Sequence, residues 1–167
     1  MSASRKAILG GDASGDGIWV HCISRCVRRA YLCGDGLDHR KDWVEERLRL
    51  LAGASAVEVA GYAVMSNHLH VVLRTRRDVA LGWSDQEVAE RWLTLWPKER
   101  LRDGTGVAPT AEAVRLASQT PQVAIWRARL ADLGWCMKAL KEEISRRANR
   151  EDERSRTCQN HGEQETL

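Results

Sequence analysis

The chain has 167 residues and a formal net charge of +3, and 43% of its residues are hydrophobic, including seven tryptophans but no phenylalanine. This length suits one domain with a buried core and is too short for two. No apolar run approaches the roughly 20 residues that a membrane-spanning helix needs. The five cysteines are odd in number and follow no signal peptide, so they indicate reduced thiols in a cytoplasm rather than a disulfide framework.

The N-terminal part of the chain is predicted to contain a lead-in, a strand and a helix. Residues 1–17 are small, polar and rich in glycine, which predicts a disordered lead-in. Residues 18–26 have the composition of a strand, and 30–33 form a second short extended piece. Asp38 is placed to cap a helix over 39–52.

The middle of the chain predicts a β-hairpin followed by a helix. Residues 57–65 and 68–73 are rich in aliphatic side chains, and the two residues between them fit a tight connection. Ser84 and Glu87 have the spacing of a capping box, which predicts a helix that ends near Trp96.

The C-terminal half is predicted to hold a surface insertion, a long helix and a polar tail. The insertion covers 97–120 and contains one short helix over 110–118. The longest helix begins at Thr120-Pro121 and ends near Asn149. Its inward stripe has helical spacing and consists of Trp126, Leu130, Leu133, Met137, Leu140 and Ile144. Residues 151–167 are predicted to be a mobile polar tail.

This order of elements predicts one α+β domain over 18–150, a sandwich of a small antiparallel sheet with helices on one face. Because strand side chains alternate, His68 and His70 should share the face that the helices leave open, while Leu69 enters the core. Two imidazoles on a rigid strand, with a third ligand from elsewhere, suit a Mg²⁺ or Mn²⁺ ion. Residues 18–149 hold 21 lysines and arginines against 16 acidic residues, a mild bias towards nucleic-acid binding.

The residues around the histidine pair resemble a known family. Residues 61–73 read Gly-Tyr-Ala-Val-Met-Ser-Asn-His-Leu-His-Val-Val-Leu. They are similar to the signature strand pair of the REP-associated tyrosine transposases, a branch of the single-strand, one-tyrosine transposases in the HUH nuclease superfamily. The resemblance extends to 21–34, 38–41 and 145–149, and so covers most of 18–149 outside the insertion.

The resemblance implies a fold, an activity and partners. The fold would be a ferredoxin-like sandwich. The protein would bind single-stranded or hairpin DNA in DNA transposition and would form a homodimer. The activity would be that of an endonuclease that uses Mg²⁺ or Mn²⁺, with His68 and His70 as the metal pair, and that links a tyrosine to the 5′ side of the cut strand. Asn67 belongs to the same motif, without a specific role.

The tyrosine expected from the family is replaced in this chain. Aligned on Asn149, the family's nucleophile position falls on Ile144, and an isoleucine cannot attack phosphorus. The chain's two tyrosines are Tyr31, interpreted as a core residue, and Tyr62, interpreted as a packed aromatic on the strand before the histidine pair, with a nucleophile as the alternative. We therefore expect tyrosine transesterification to be lost. The family's last strand, of the type Trp-x-x-Arg-Phe, is also predicted to be absent, because 151–167 are polar.

Basic residues flank the predicted site on both sides. Those expected to contact DNA phosphates, with a solvated surface as the alternative, are Arg25, Arg28, Arg29, Arg74, Arg76 and Arg77. His21 is either a third metal ligand, if its strand neighbours that of His68, or a structural histidine. Trp92, Trp96 and Trp126 have core spacing, so packing is favoured over base stacking.

Two functions of different classes follow from these observations. The leading prediction is a transposase-like protein that acts on single-stranded or hairpin DNA and carries a His-x-His divalent-metal site. The alternative is a catalytically inactive module, derived from such a transposase, that binds a DNA or RNA hairpin. A third interpretation is a degraded transposase product with no stable function.

Overall fold

The computed structural model describes residues 17–25, 33 and 36–162, and for Arg25 and 153–162 it describes the backbone alone. The predictions that lie outside these residues concern the lead-in up to residue 16, the extended piece at 30–33 apart from Cys33, and Arg28, Arg29 and Tyr31. Within the described part of the chain, no helix is long and apolar enough to cross a membrane.

Among the residues that the structure describes, three strands form one antiparallel sheet. They are β1 (Val20–Arg25), β2 (Val57–Val64) and β3 (His68–Thr75), in the spatial order β1-β3-β2. The predicted hairpin of β2 and β3 is confirmed, and a bulge between Val59 and Gly61 shifts its register. Because β3 is central, its side chains have neighbours from both other strands.

The described residues form six helices, which are α1 (Arg40–Ala54), α2 (Arg77–Gly82), α3 (Asp85–Leu95), α4 (Ala111–Ser118), α5 (Gln122–Leu130) and α6 (Leu133–Gly162). The predicted capping box of α3 is confirmed, since Ser84 Oγ accepts from Glu87 N at 3.2 Å and Glu87 Oε2 accepts from Ser84 N at 2.7 Å. The predicted cap of α1 is wrong. His39 occupies the cap position, and Asp38 forms an ion pair with Lys41 at 2.6 Å instead.

The predicted single helix from Thr120 to Asn149 is two helices, because the chain breaks at Asp132. Asp132 Oδ1 accepts from Trp135 N at 2.9 Å, and the Asp132 carbonyl accepts from Cys136 N at 3.0 Å. An aspartate with these bonds caps a new helix N-terminus. The predicted apolar stripe nevertheless packs inward from both helices, so its periodicity is confirmed and its continuity is not.

Replacing Asp132 by alanine is expected to lower the free energy of unfolding by about 1 kcal/mol, because the α6 N-terminus loses its side-chain acceptor. Asp132→Ser keeps an oxygen acceptor and should retain most of that stability. Urea denaturation followed by circular dichroism measures both variants. Equal stability of Asp132→Ala and the unaltered chain would contradict the cap.

The polar segment after Asn149 continues α6 to Gly162, where the sequence predicts a mobile tail from residue 151. The cause lies on α1. Arg40, only 4% exposed, donates Nε to Glu151 at 2.7 Å and Nη2 to Asp152 at 2.5 Å. These charge-assisted hydrogen bonds hold the polar part of α6 against α1 without an apolar stripe.

The hydrophobic core lies between one face of the sheet and the helices. β3 contributes Leu69, Val71 and Leu73, while α1 contributes Val44 and α6 contributes Leu140. The predicted α+β class is therefore confirmed as a three-stranded antiparallel sheet with packed helices. The second face of the sheet is left open by the described residues, and the candidate site lies there.

Candidate functional site

Central strand β3 has one buried face and one open face. Leu69 and Val71 enter the core, whereas His68 and His70 are partly exposed. The prediction that both histidines share the face away from the helices is therefore confirmed. We define the open face as the surface formed by Trp19, His21, Ile23, His68, His70, Val72 and Arg74.

Strand β1 brings a third histidine to the open face. In the β1–β3 register, His21 lies opposite Val72, and Ile23 lies opposite His70. His21 Nε2 is 2.9 Å from His70 Nδ1, and the two rings stack with their centroids 5.1 Å apart. One of these nitrogens must donate its hydrogen and the other must accept it, so the two imidazoles share one proton. Strand β1 thus lies beside β3, as a role of His21 as the third metal ligand would require.

Asn67 fixes the ring of His68. His68 Nδ1 lies 2.6 Å from Asn67 Oδ1. An amide oxygen only accepts, so Nδ1 carries the hydrogen and Nε2 is left as the acceptor of the neutral ring. Asn67, to which the resemblance assigns no role, therefore selects the tautomer of its neighbour.

The three histidines are not a preformed metal centre. The described residues contain no group of three or more His, Cys, Asp or Glu side chains that could hold an ion. His70 Nδ1 is engaged by His21, and the centroids of His68 and His70 are 6.3 Å apart. Imidazole nitrogens bind a metal at about 2.0–2.1 Å, so an ion here would need one nitrogen of each ring within that distance. The Mg²⁺ or Mn²⁺ site at His68 and His70 stays a prediction.

The candidate nucleophile Tyr62 lies on the wrong face of the sheet. It pairs with Val71, whose side chain enters the core, and its hydroxyl donates to the Glu45 carboxylate on α1. This hydrogen bond to a carboxylate raises the pKa of the Tyr62 hydroxyl, which disfavours the phenolate. Tyr62 is therefore not positioned or activated to attack DNA bound beside His70.

The position expected for the family tyrosine is also remote from the histidines. Ile144 is buried, at 6% exposure, and belongs to the core on the helix side of the sheet. It lines a cleft with Trp43 and Arg47. Its place on the inward stripe is confirmed, yet the sheet separates it from the open face of the same chain.

The arginines at the end of β3 already have acidic partners. Glu58 on β2 accepts from Arg74 Nη2 at 2.6 Å and from Arg76 Nη1 at 2.6 Å, and Asp78 accepts from Arg76 Nη2 at 2.7 Å. The hydrogen bond from Arg74, followed by that from Arg76, lowers the pKa of the Glu58 carboxyl. The positive charge of Arg74 and Arg76, predicted to meet DNA phosphates, is therefore balanced within the protein.

Arg25 and Arg77, the other predicted DNA contacts within the described residues, lie at two separate ends of the sheet. Arg25 is opposite His68 in the register, and its side chain is outside the described residues. Arg77 is exposed at the start of α2, just beyond the other end of β3. At about 3.3 Å per residue, His68 and Arg77 are on the order of 30 Å apart along the chain. The structure does not bring these arginines together around one phosphate.

Two residues of the open-face surroundings were not identified from the sequence. Trp19 is 47% exposed, and the Arg74 guanidinium lies 4.8 Å from the centroid of its indole ring. Glu58 neutralises the same arginine from β2. The alternation of Trp19 with His21 along β1 could have indicated the tryptophan, whereas the pairing with Glu58 depends on strand register.

The tryptophans predicted to pack do so. Trp92 stacks on Trp96 with centroids 4.1 Å apart and on Trp126 at 5.6 Å, and Trp135 joins the cluster at 5.7 Å from Trp92. These rings lie on α3, α5 and α6, away from the open face. Base stacking on the open face would therefore fall to Trp19.

No protein-family model, curated protein or solved structure matches this chain. Its function is therefore inferred from the groups on the open face and from the motif around His68 and His70.

Proposed function

We propose that this chain is a transposase-like protein that carries a divalent-metal site at His68 and His70, binds single-stranded or hairpin DNA on its open face and no longer forms a tyrosine link to it. The observation that carries the proposal is the juxtaposition of His21, His68 and His70 on that face. The motif over 61–73 supports the same assignment by resemblance. No cleavage step is included, because neither Ile144 nor Tyr62 can act as a nucleophile there.

The open face offers the groups that an unpaired strand can use. Trp19 and Ile23 are 47% and 56% exposed, so a base can stack on the indole and pack on the isoleucine. Imidazole N–H groups and the outer edge of the Arg74 guanidinium can donate to phosphate oxygens. Such contacts hold the backbone and the base faces, and they suit a strand whose bases are not paired.

The proposal includes the architecture and the setting that the resemblance implies. The order β1, α1, β2, β3 is the first part of the β-α-β-β-α-β pattern of a ferredoxin-like sandwich. We infer a ferredoxin-like sandwich that lacks the last strand of this pattern, with a homodimer as its assembly and the cytoplasm as its location.

Replacement of open-face side chains tests the DNA surface. In fluorescence anisotropy with a labelled single-stranded hairpin, Trp19→Ala should weaken binding by about 1–3 kcal/mol, the usual loss for a stacked base. His70→Ala should weaken it in the same direction. The matched control is His39→Ala, because His39 Nε2 bonds Glu151 at 2.6 Å on the helix side. If Trp19→Ala binds as tightly as the unaltered chain, or if the control loses as much as His70→Ala, DNA binds elsewhere.

The second candidate function is a catalytically inactive module that binds a DNA or RNA hairpin. Two observations favour it. Tyr62 lies on the helix side of the sheet, where its hydroxyl bonds to Glu45. His21 and His70 are hydrogen-bonded to each other, so the two ring nitrogens in that bond are not available to an ion. Manganese separates the two functions. Mn²⁺ binding that is lost in His68→Ala supports the metal-dependent protein, whereas hairpin retention that is unchanged by a chelator supports the inactive module.

A further inference from the structure

A cleft of about 400 Å³ lies between α1, α6 and the segment 97–108, on the helix side of the sheet. This volume is within the range of small-molecule sites. Leu50, Pro97 and Ile144 supply apolar lining, and the remaining lining is rich in arginine. The cleft is separated from the histidines by the sheet, so a role for it does not depend on the function proposed for the open face.

Two of the cleft's carboxylates are already neutralised by its own arginines. Arg100 donates to both oxygens of Glu143, at 3.1 and 2.9 Å. Arg147 Nη1 donates to Glu46 at 2.7 Å. Burial alone would raise the pKa of the Glu143 carboxyl, but the hydrogen bond from Arg100 lowers it, so this pair is fully charged at neutral pH. Each glutamate therefore has an arginine partner of its own, and the third carboxylate of the cleft, Asp103, accepts from Thr105 N at 2.8 Å.

Arg47 carries a buried positive charge that is paired with carbonyls only. It is 8% exposed, and it donates Nε to Ala139 O at 3.2 Å and Nη2 to Leu95 O at 2.9 Å. Burial lowers the pKa of this guanidinium, although the negative charge of Glu143 raises it. Among the described residues, no carboxylate hydrogen-bonds to it. A ligand with negative charge would supply a counter-ion at hydrogen-bond distance.

Arg150, at the rim of the cleft, is the second arginine to which no carboxylate of the described residues hydrogen-bonds. It makes no hydrogen bond or ion pair among the described residues, and its guanidinium lies against the backbone of Gly104. A Cβ at residue 104 would lie 2.1 Å from Arg150 Cζ, and Gly104 has a φ of +86°. Because Gly104 has no side chain, the Arg150 guanidinium can lie over the segment 97–108.

We propose that this cleft binds the phosphate group of a small phosphorylated molecule, with Arg47 and Arg150 as the groups that gain a counter-ion. Guanidinium groups bind phosphate through paired, charge-assisted hydrogen bonds. The cleft is larger than a phosphate ion, so the rest of a nucleotide-sized molecule can occupy its apolar part. The Trp43 ring already contacts the Arg40 and Arg147 guanidiniums, at 5.6 and 4.7 Å, so recognition depends on charge rather than on base stacking.

Isothermal titration calorimetry on the full chain tests the site with inorganic phosphate, adenosine monophosphate and adenosine as probes. Adenosine monophosphate should bind, and Arg150→Gln should weaken it at least about tenfold, the loss expected for a hydrogen bond to a charged group. Gly104→Ala should weaken it as well, because the new methyl group displaces the guanidinium. The matched control is Lys141→Gln on the same helix, exposed and outside the cleft lining, which should change the affinity by less than about twofold.

Three results with the small-molecule probes and Arg150→Gln would overturn the proposal. They are binding of adenosine as tightly as adenosine monophosphate, no binding of either phosphate probe, and equal affinity of Arg150→Gln and the unaltered chain. A single-stranded oligonucleotide with and without a 5′-phosphate identifies the source of the phosphate. If the phosphorylated strand binds the cleft more tightly than adenosine monophosphate, the ligand is a strand end, and otherwise it is a free small molecule. Loss of this binding in His68→Ala would place it on the open face and contradict the cleft.

Discussion

Replacing Leu73 by alanine is expected to lower the free energy of unfolding by about 2–5 kcal/mol, the range for a leucine truncated in a packed core. Leu73 is fully buried on the central strand, between Val20 of β1 and Val59 of β2. A cavity there cannot be closed by a small movement of one edge strand, because β3 is hydrogen-bonded on both sides. Urea denaturation followed by circular dichroism measures the loss.

The neighbouring residue provides the matched control. Val72 lies on the open face and is partly exposed, so Val72→Ala should cost less than about 1 kcal/mol, the value of about one buried methylene group. If Val72→Ala destabilises the protein as much as Leu73→Ala, the open face is covered in solution. That result would also contradict the DNA surface proposed for it, because a covered face cannot bind a strand.

The hairpin and the two faces of β3 are predictable because they follow from local alternation. Leu69, Val71 and Leu73 alternate with His68 and His70, so a single strand assignment places all five side chains. The capping box of α3 is predictable for the same reason, since its two residues are three apart in the chain. Local periodicity and spacing therefore account for the part of the site on β3.

The contacts between β1 and β3 could not be predicted, because they depend on strand order. The residues His21 and His70 are 49 positions apart, and only the order β1-β3-β2 brings their rings together. The same holds for Glu58, which balances Arg74 from the other neighbouring strand. Sequence patterns indicate which face a side chain takes, but they do not indicate which strand lies beside it.

The helices show how one polar residue can change the helix boundaries that an apolar pattern predicts. The stripe from Trp126 to Ile144 keeps helical spacing across Asp132, so periodicity alone predicts one helix. The cap at Asp132 divides the predicted helix into α5 and α6. The ion pairs of Arg40 with Glu151 and Asp152 extend α6 beyond the predicted end at Asn149. Both effects come from hydrogen bonds of charged side chains, which a hydrophobic pattern does not record.

No covalent adduct with DNA is expected from the unaltered chain or from Ile144→Tyr. An adduct requires a phenolate to attack phosphorus and release the 3′-hydroxyl of the cut strand. Tyr62 lies on the helix side with its hydroxyl bound to Glu45, and residue 144 is on the same side, in the cleft. The assay is incubation with labelled hairpin DNA and Mn²⁺, followed by denaturing gel electrophoresis of the protein.

Ile23→Tyr is the matched variant, because Ile23 is 56% exposed on the open face directly opposite His70. A tyrosine there lies beside the histidines, so an adduct in this variant that is lost when His68→Ala is added would show a metal site that lacks only its attacker. An adduct in the unaltered chain would contradict the argument and point to Tyr31, outside the described residues. An adduct in Ile144→Tyr would also contradict it. The sheet separates residue 144 from its own histidines, so that tyrosine would have to act on the open face of a second copy of the chain.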